Sequence, residues 1–60
     1  MAKIVFVDDE PDMLGTVKNV FTELGHEVDT AEDGKEGLKL ILDTEPDLAF
    51  VDVRLGGLKG

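Results

Sequence analysis

The sequence contains no cysteine and a single histidine, His26, so two common ways of stabilising a small domain are missing. Disulfides are excluded, and one histidine without a second soft ligand beside it does not make a structural zinc site. A domain of 60 residues hides only about 60% of the surface that its unfolded chain exposes, which leaves it marginally stable. Self-association is the remaining stabilising device. The absence of cysteine also fits a reducing, cytoplasmic setting.

Basic side chains are scarce: 6 Lys and Arg stand against 14 Asp and Glu, and the net charge is −8. Such a chain repels the phosphates of nucleic acids and anionic lipids, so we expect no direct nucleic acid binding. Long apolar runs are also missing, since none approaches the roughly 20 residues of a membrane-spanning helix. Acidic residues follow the first apolar run at once, at Asp8 and Asp9, which argues against a secretory signal. We expect no membrane association.

Short apolar runs alternate with two helical patterns along the chain. The first run, KIVFV, is apolar without alternation, which is typical of a strand buried on both faces. Apolar residues then recur at three-to-four spacing between Pro11 and a stop at Gly25, and we interpret this stripe as core. The predicted elements are a strand at 3–7, a helix at 11–24, an edge strand at 26–31, a helix beginning near Lys35 and ended by Pro46, and a strand at 47–53.

This order makes two successive βαβ units, which indicates an α/β fold with a parallel sheet. Right-handed crossovers with helices on opposite faces place the first strand in the middle, so the sheet is predicted to be three-stranded with the order 2-1-3. Ligands bind such sheets at the carboxyl ends of the strands, where the strand order reverses. The predicted ligand site therefore lies beyond the ends of the first and third strands.

Acidic residues stand at that point in both strands. The tripeptide Phe-Val-Asp ends the first strand at Asp8 and recurs at the end of the third strand at Asp52. Because neighbouring strands lie about 4.8 Å apart, we expect Asp8, Asp9 and Asp52 to converge. Clustered carboxylates repel one another unless one takes up a proton or the group binds a divalent cation. Hard oxygen ligands suit Mg²⁺, which commonly bridges to phosphate. The chemistry indicated is phosphoryl handling.

Simpler explanations exist for these acids. Acidic residues favour the start of a helix, which would account for Asp8, Asp9 and Glu10 but not for Asp52. The simpler explanation of Asp52 is a polar residue that ends a strand. A hydrolase of the haloacid dehalogenase type also has a nucleophilic aspartate at a strand end, but it expects a second aspartate two residues later. Position 54 is Arg54, so that acid/base partner is absent. His26 is interpreted as a polar residue that opens an edge strand.

Five signals occur in the order found in response regulator receiver domains, and the chain resembles that family over essentially all of its length. They are the run Val7-Asp8-Asp9-Glu10-Pro11, the segment Gly25-His26-Glu27-Val28, Ala31, the pair Asp33-Gly34, and Pro46-Asp47 leading into Val51-Asp52. The resemblance implies a flavodoxin-like receiver fold, of which residues 1–60 would be the βαβαβ amino-terminal half. We expect a truncated receiver domain, without the remainder of the fold.

The resemblance also implies roles for individual residues. Asp52 would be the phosphoacceptor, phosphorylated by a histidine kinase or a phosphotransfer protein, and the chain would not be an enzyme beyond its own phosphorylation. Asp9 would bind Mg²⁺ directly, Asp8 mainly through water, Asp52 through its carboxylate, and Arg54 through its backbone carbonyl. Receivers also use a hydroxyl residue after the fourth strand and a lysine after the fifth. Neither lies within these 60 residues, so we expect impaired phosphorylation.

A second function stays open beside phosphotransfer. The third strand would have an unpaired, apolar edge, and such an edge favours pairing with another strand. The alternative is therefore a self-associating assembly fragment without phosphotransfer, with a homodimer or higher homo-oligomer formed through the third-strand edge.

Overall fold

Three strands and two helices alternate along residues 1–52, the part of the chain that the computed structural model describes. The elements are β1 (Lys3–Val7), α1 (Pro11–Glu23), β2 (Glu27–Ala31), α2 (Gly34–Thr44) and β3 (Leu48–Val51). Their order and type are those predicted from the sequence. The third strand is shorter than the predicted range 47–53, because Asp47 precedes it and position 53 lies outside the described residues.

The three strands form one parallel sheet in the order β2-β1-β3, which confirms the predicted α/β topology. β1 is central, and its Val7 is in register with Ala31 of β2 and Val51 of β3. The continuous apolar run of β1 is explained by this position, since a central strand has a covered surface on each face. Val5, Val7 and Ala31 form a buried cluster of the core, against which Leu40 and Ile41 of α2 pack.

Local sequence signals account for the ends of both helices. α1 begins at Pro11, whose missing N–H is not needed in a first turn, and Gly25 follows it with φ +95°. At the start of α2, the Asp33 side chain accepts a hydrogen bond of 2.8 Å from the backbone N–H of Glu36. α2 ends at Thr44, and its C-cap residue Glu45 adopts a left-handed conformation (φ 48°, ψ 62°) directly before Pro46. The proline blocks a further helical turn, as the sequence predicted.

α2 packs closely on the central strand at Gly37, which is buried. A Cβ atom at Gly37 would lie 2.9 Å from Cγ1 of Val7, closer than van der Waals contact allows. The absence of a side chain at Gly37 therefore allows α2 to pack closely against Val7, the last residue of β1.

α1 covers its face of the sheet less completely than predicted. Of the apolar stripe interpreted as core, only Leu14 is buried, while Met13 is 47% exposed and Val20 is 49% exposed. The reason is that α1 packs mainly against β2, so the α1 face of the sheet beside β3 has no helix packed on it among the described residues. Phe6 nevertheless contacts Phe21 of α1 edge-on, with ring centroids 5.4 Å apart. Neither helix within residues 1–52 has the length and hydrophobicity that a membrane span requires.

Candidate functional site

Three acidic residues lie where the carboxyl ends of β1 and β3 meet, an edge of the sheet called here the carboxyl edge. Asp8 directly follows β1, and Asp52 directly follows β3. Because Val7 and Val51 are paired in the parallel register, Asp8 and Asp52 leave the sheet side by side. This is the point at which the strand order reverses, where open α/β sheets bind their ligands.

The carboxylates of Asp8, Asp9 and Asp52, called here the acid cluster, converge closely. One oxygen from each lies within 4.8 Å of the other two. Asp8 is buried, with 8% of its surface exposed, whereas Asp52 is half-buried and Asp9 is exposed. The structure thus brings together the three side chains that the sequence singled out, while their chemical roles stay predictions.

Backbone hydrogen bonds hold two members of the acid cluster in place. The N–H of Asp8 donates to the carbonyl of Ala31 at 3.1 Å, and the N–H of Asp52 donates to the carbonyl of Val7 at 2.9 Å. One carboxylate oxygen of Asp8 also accepts a bond of 3.0 Å from the N–H of Glu10. That bond closes an Asx turn, which orients the Asp8 side chain and positions the chain for the start of α1.

The ligand chemistry of the acid cluster fits a hard divalent cation. All three groups offer carboxylate oxygens, which Mg²⁺ and Ca²⁺ prefer over nitrogen or sulfur. The fourth predicted ligand, the backbone carbonyl of Arg54, lies outside the described residues. His26 lies at the opposite edge of the sheet, where its Nδ1 accepts a hydrogen bond of 3.0 Å from the N–H of Ala2. His26 therefore has a structural contact away from the acid cluster.

An apolar groove of about 270 Å³ adjoins the acid cluster between α1 and β3. Its floor includes Phe6 and Phe50, whose rings stack with centroids 5.0 Å apart and planes 9° from parallel. Sequence reasoning did not identify this groove. A signal for it was present, because the repeated Phe-Val-Asp tripeptide puts the two rings in register on neighbouring strands. The residues lining it are Phe6, Val7, Asp8, Met13, Leu14, Val17, Phe50, Val51 and Asp52.

Comparison with known proteins agrees with the fold. Residues 4–60 match the response regulator receiver domain family. The chain belongs to this family, whose members are the phosphoryl-accepting modules of two-component systems. A receiver assignment, rather than a haloacid dehalogenase-type hydrolase, is therefore the one that the comparison supports.

Several bacterial proteins are similar to the chain along most or all of its length. Transcriptional regulatory protein AfsQ1 of Streptomyces coelicolor is 35% identical over 60 residues, covering 100% of this chain and 27% of that protein. Protein PilH of Pseudomonas aeruginosa is 35% identical over 60 residues, covering 100% of this chain and 50% of that protein. Transcriptional regulatory protein TcrA of Mycobacterium tuberculosis is 36% identical over 58 residues, covering 97% and 23% respectively.

The chain spans half or less of the length of each of these relatives. No solved structure matches it.

Proposed function

We propose that the chain is a phosphoacceptor receiver module in which Asp52 accepts the phosphoryl group and the acid cluster binds Mg²⁺. The observation that carries this proposal is the approach of three carboxylates to within 4.8 Å of one another at the carboxyl edge. A strand-ending acid has no structural need for two further acids beside it, because each added negative charge raises the electrostatic energy of the others. A bound cation and a phosphoryl group would explain why three carboxylates lie together at this edge.

In the proposed reaction, a carboxylate oxygen of Asp52 attacks the phosphorus of a phosphohistidine or of a small acyl phosphate. The new bond joins this oxygen to phosphorus, while the bond from phosphorus to the imidazole nitrogen or acyl oxygen breaks and the donor leaves with the electron pair. The hydrogen bond from the N–H of Asp52 to Val7 fixes the backbone from which the carboxylate projects. Asp52 thereby acts as acceptor, and the chain is not an enzyme acting on another substrate.

The other acids serve the cation in this proposal. Asp9, which is exposed, binds Mg²⁺ directly, and the buried Asp8 holds it mainly through water while one of its oxygens retains the N–H of Glu10. The carbonyl of Arg54 is assigned as a further ligand by resemblance to the family. When bound, Mg²⁺ would neutralise negative charge between the carboxylates and the phosphoryl oxygens. The partner implied by the family is a histidine kinase or a phosphotransfer protein.

Phosphorylation can be tested directly on the 60-residue chain. Acetyl phosphate or beryllium fluoride with Mg²⁺ should modify the wild type at Asp52, detected by intact mass or fluorine NMR, and leave Asp52→Asn unmodified. Asp12→Asn is the matched control, because it removes an exposed acid of α1 outside the acid cluster. We expect slow modification, since the lysine that receivers carry after a fifth strand is not among these residues. Equal modification of Asp52→Asn would contradict the proposal.

The metal site has its own test. Asp9→Ala should weaken Mg²⁺ binding in a calorimetric titration by at least about tenfold, because losing even a hydrogen-bonding partner of a metal ligand costs about 10- to 100-fold in affinity. Asp12→Ala, which removes an acid outside the acid cluster, should leave the affinity unchanged. The same affinity in wild type and Asp9→Ala would refute the proposed set of ligands.

A second candidate function, self-association, rests on a different observation. Within residues 1–52, β3 is an edge strand of the sheet, and all four of its residues are exposed although all four are apolar. Unpaired apolar edges favour the addition of another strand. We propose that the 60-residue chain forms homo-oligomers through β3. Sedimentation velocity over a concentration series should show a species larger than the monomer at high concentration, and Leu48→Glu should suppress it. A monomer at every concentration would exclude this function.

A further inference from the structure

Val7, the last residue of β1, supports two members of the acid cluster at once. It directly precedes Asp8, and its carbonyl oxygen accepts the hydrogen bond of 2.9 Å from the N–H of Asp52. It is also in register with Val51, the residue before Asp52. The separation of the Asp8 and Asp52 carboxylates therefore depends on where the backbone of Val7 lies.

The position of Val7 is fixed by α2 on one face of the sheet. Val7 is 2% exposed, and its side chain lies against Gly37 of that helix. A Cβ atom at position 37 would lie 2.9 Å from Cγ1 of Val7, 3.2 Å from its Cβ, and closer still to Cγ2. Carbon atoms in favourable contact lie about 3.5–4.0 Å apart. Any side chain at position 37 therefore requires either Val7 or α2 to move.

The end of β1 is the part expected to move. Rotation of the Val7 side chain does not remove the overlap, because the Cβ atom of Val7 belongs to it and does not change position when χ1 turns. Helix α2 has little freedom to retreat from the sheet, because Leu40 and Ile41 pack against the buried cluster of the core and packed interiors leave few voids. A Cβ atom at position 37 would thus displace the backbone of Val7.

We propose that Gly37 is a positioning residue of the acid cluster. Because it has no side chain, α2 lies close enough to Val7 for the three carboxylates to meet at the separation that a shared cation requires. Mg²⁺ demands nearly ideal octahedral geometry with ligands at about 2.1 Å, so a small displacement of one ligand weakens binding. Gly37 itself touches neither the cation nor the phosphoryl group. The inference rests on the proposed function, because it takes the acid cluster to be a metal site.

Gly37→Ala tests the proposal, because it adds the Cβ atom and nothing else. In the metal-free chain, NMR should show the amide proton of Asp52 moving upfield, since displacement of Val7 lengthens its hydrogen bond. The amide proton of Asp47 is the internal reference, because its 2.8 Å bond to the carbonyl of Lys3 joins β1 to the segment entering β3 at the far end of the sheet. That proton should keep its chemical shift. In a calorimetric titration, Mg²⁺ affinity should fall several-fold.

Three further variants separate positioning from a loss of stability. Gly15→Ala makes the same change in α1, where a Cβ atom meets nothing within 4 Å, and should alter neither measurement. Val28→Ala removes buried methyl groups from β2 and should lower stability without changing Mg²⁺ affinity. Adding Val7→Ala to Gly37→Ala removes both overlapping Cγ atoms and should restore most of the affinity. Sucrose, which favours folded chains, keeps the variants folded, and circular dichroism verifies this.

Each result decides a particular claim. An unchanged Asp52 amide in Gly37→Ala would overturn the proposal, as would equal shifts of the Asp52 and Asp47 amides, which would indicate a general effect on the sheet. A displaced Asp52 amide with unchanged Mg²⁺ affinity would also overturn it, because the acid cluster would then tolerate the movement. If the wild type binds no Mg²⁺, the proposed metal site fails, while the amide shifts still report whether Gly37 positions Asp52.

Discussion

Neutralising Asp8 tests the electrostatics of the acid cluster most directly. In Asp8→Asn the side-chain oxygen that accepts the N–H of Glu10 is retained, so the Asx turn is kept while one charge is removed. The charge removed interacts with two neighbours, Asp9 and Asp52, at separations of up to 4.8 Å. At that distance each pair repels by about 0.9 kcal/mol with the dielectric constant of water, and by more where solvent is excluded.

We therefore expect Asp8→Asn to stabilise the metal-free chain by about 1–2 kcal/mol. The lower end of this range allows for the exposure of Asp9, whose interactions are screened by solvent. For a domain of this size such a change raises Tm by about 8–16 °C. Urea or thermal unfolding followed by circular dichroism, in the presence of a chelator, measures it. The gain should shrink as the salt concentration rises, because salt screens exposed charges.

Magnesium should reverse the order of stability. A ligand present at 100 times its dissociation constant stabilises the folded state by about 2.7 kcal/mol, and Asp8→Asn is expected to lose most of this gain. Wild type should then be the less stable protein without Mg²⁺ and the more stable one with it. The matched control is Asp12→Asn, which removes an acid outside the acid cluster and should show no gain in the metal-free state. A metal-free Asp8→Asn no more stable than Asp12→Asn would refute the reasoning.

Substitutions at four further positions test the fold around the site, each by urea unfolding. Asp33→Ala removes the side chain that accepts a hydrogen bond from the N–H of Glu36, and it should lower the free energy of unfolding by about 1 kcal/mol. Asp33→Ser can still cap the helix and should lower it by only about a few tenths of a kcal/mol. Equal losses in the two variants would contradict the role of Asp33 as a helix cap. Glu45→Gly should raise the free energy of unfolding by about 0.5–1 kcal/mol, because φ is 48° at this position and glycine adopts positive φ without strain. Glu45→Ala should leave the free energy of unfolding unchanged. Phe6→Leu, which breaks ring contacts on two sides, should cost more than Phe50→Leu, which breaks one of them; the reverse ranking would argue against the stack.

Much of the fold could be predicted because its signals are local. The apolar run of β1, the proline at position 11 and the stop at Gly25 each act within a few residues, and all three have the predicted effect. The left-handed conformation of Glu45 was not predicted. Pro46 excludes a helical residue before it, but that exclusion by itself does not distinguish an extended conformation from a left-handed one.

The extent of burial could not be read from the same patterns. The apolar spacing of α1 identifies the side of the helix that faces the sheet, but not how much of the sheet that helix covers. Met13 and Val20 belong to the apolar stripe and are about half exposed, because the α1 face of the sheet beside β3 has no helix packed on it among residues 1–52. Coverage depends on how many elements pack on a face, and no property of a single helix reports that number.

The sequence by itself determined the order of the elements, the central position of β1 and the presence of an acid at the end of each strand that borders the site. The rule that βαβ crossovers are right-handed and the spacing of apolar residues both apply to the sequence directly, so these features can be predicted without coordinates. The sequence also predicted that Asp8, Asp9 and Asp52 converge, but only the tertiary structure decided that one carboxylate oxygen of each lies within 4.8 Å of the other two and that Phe6 stacks on Phe50 beside them. Distances between residues more than forty positions apart depend on the register of β1 against β3, which many side chains set together and no single residue encodes.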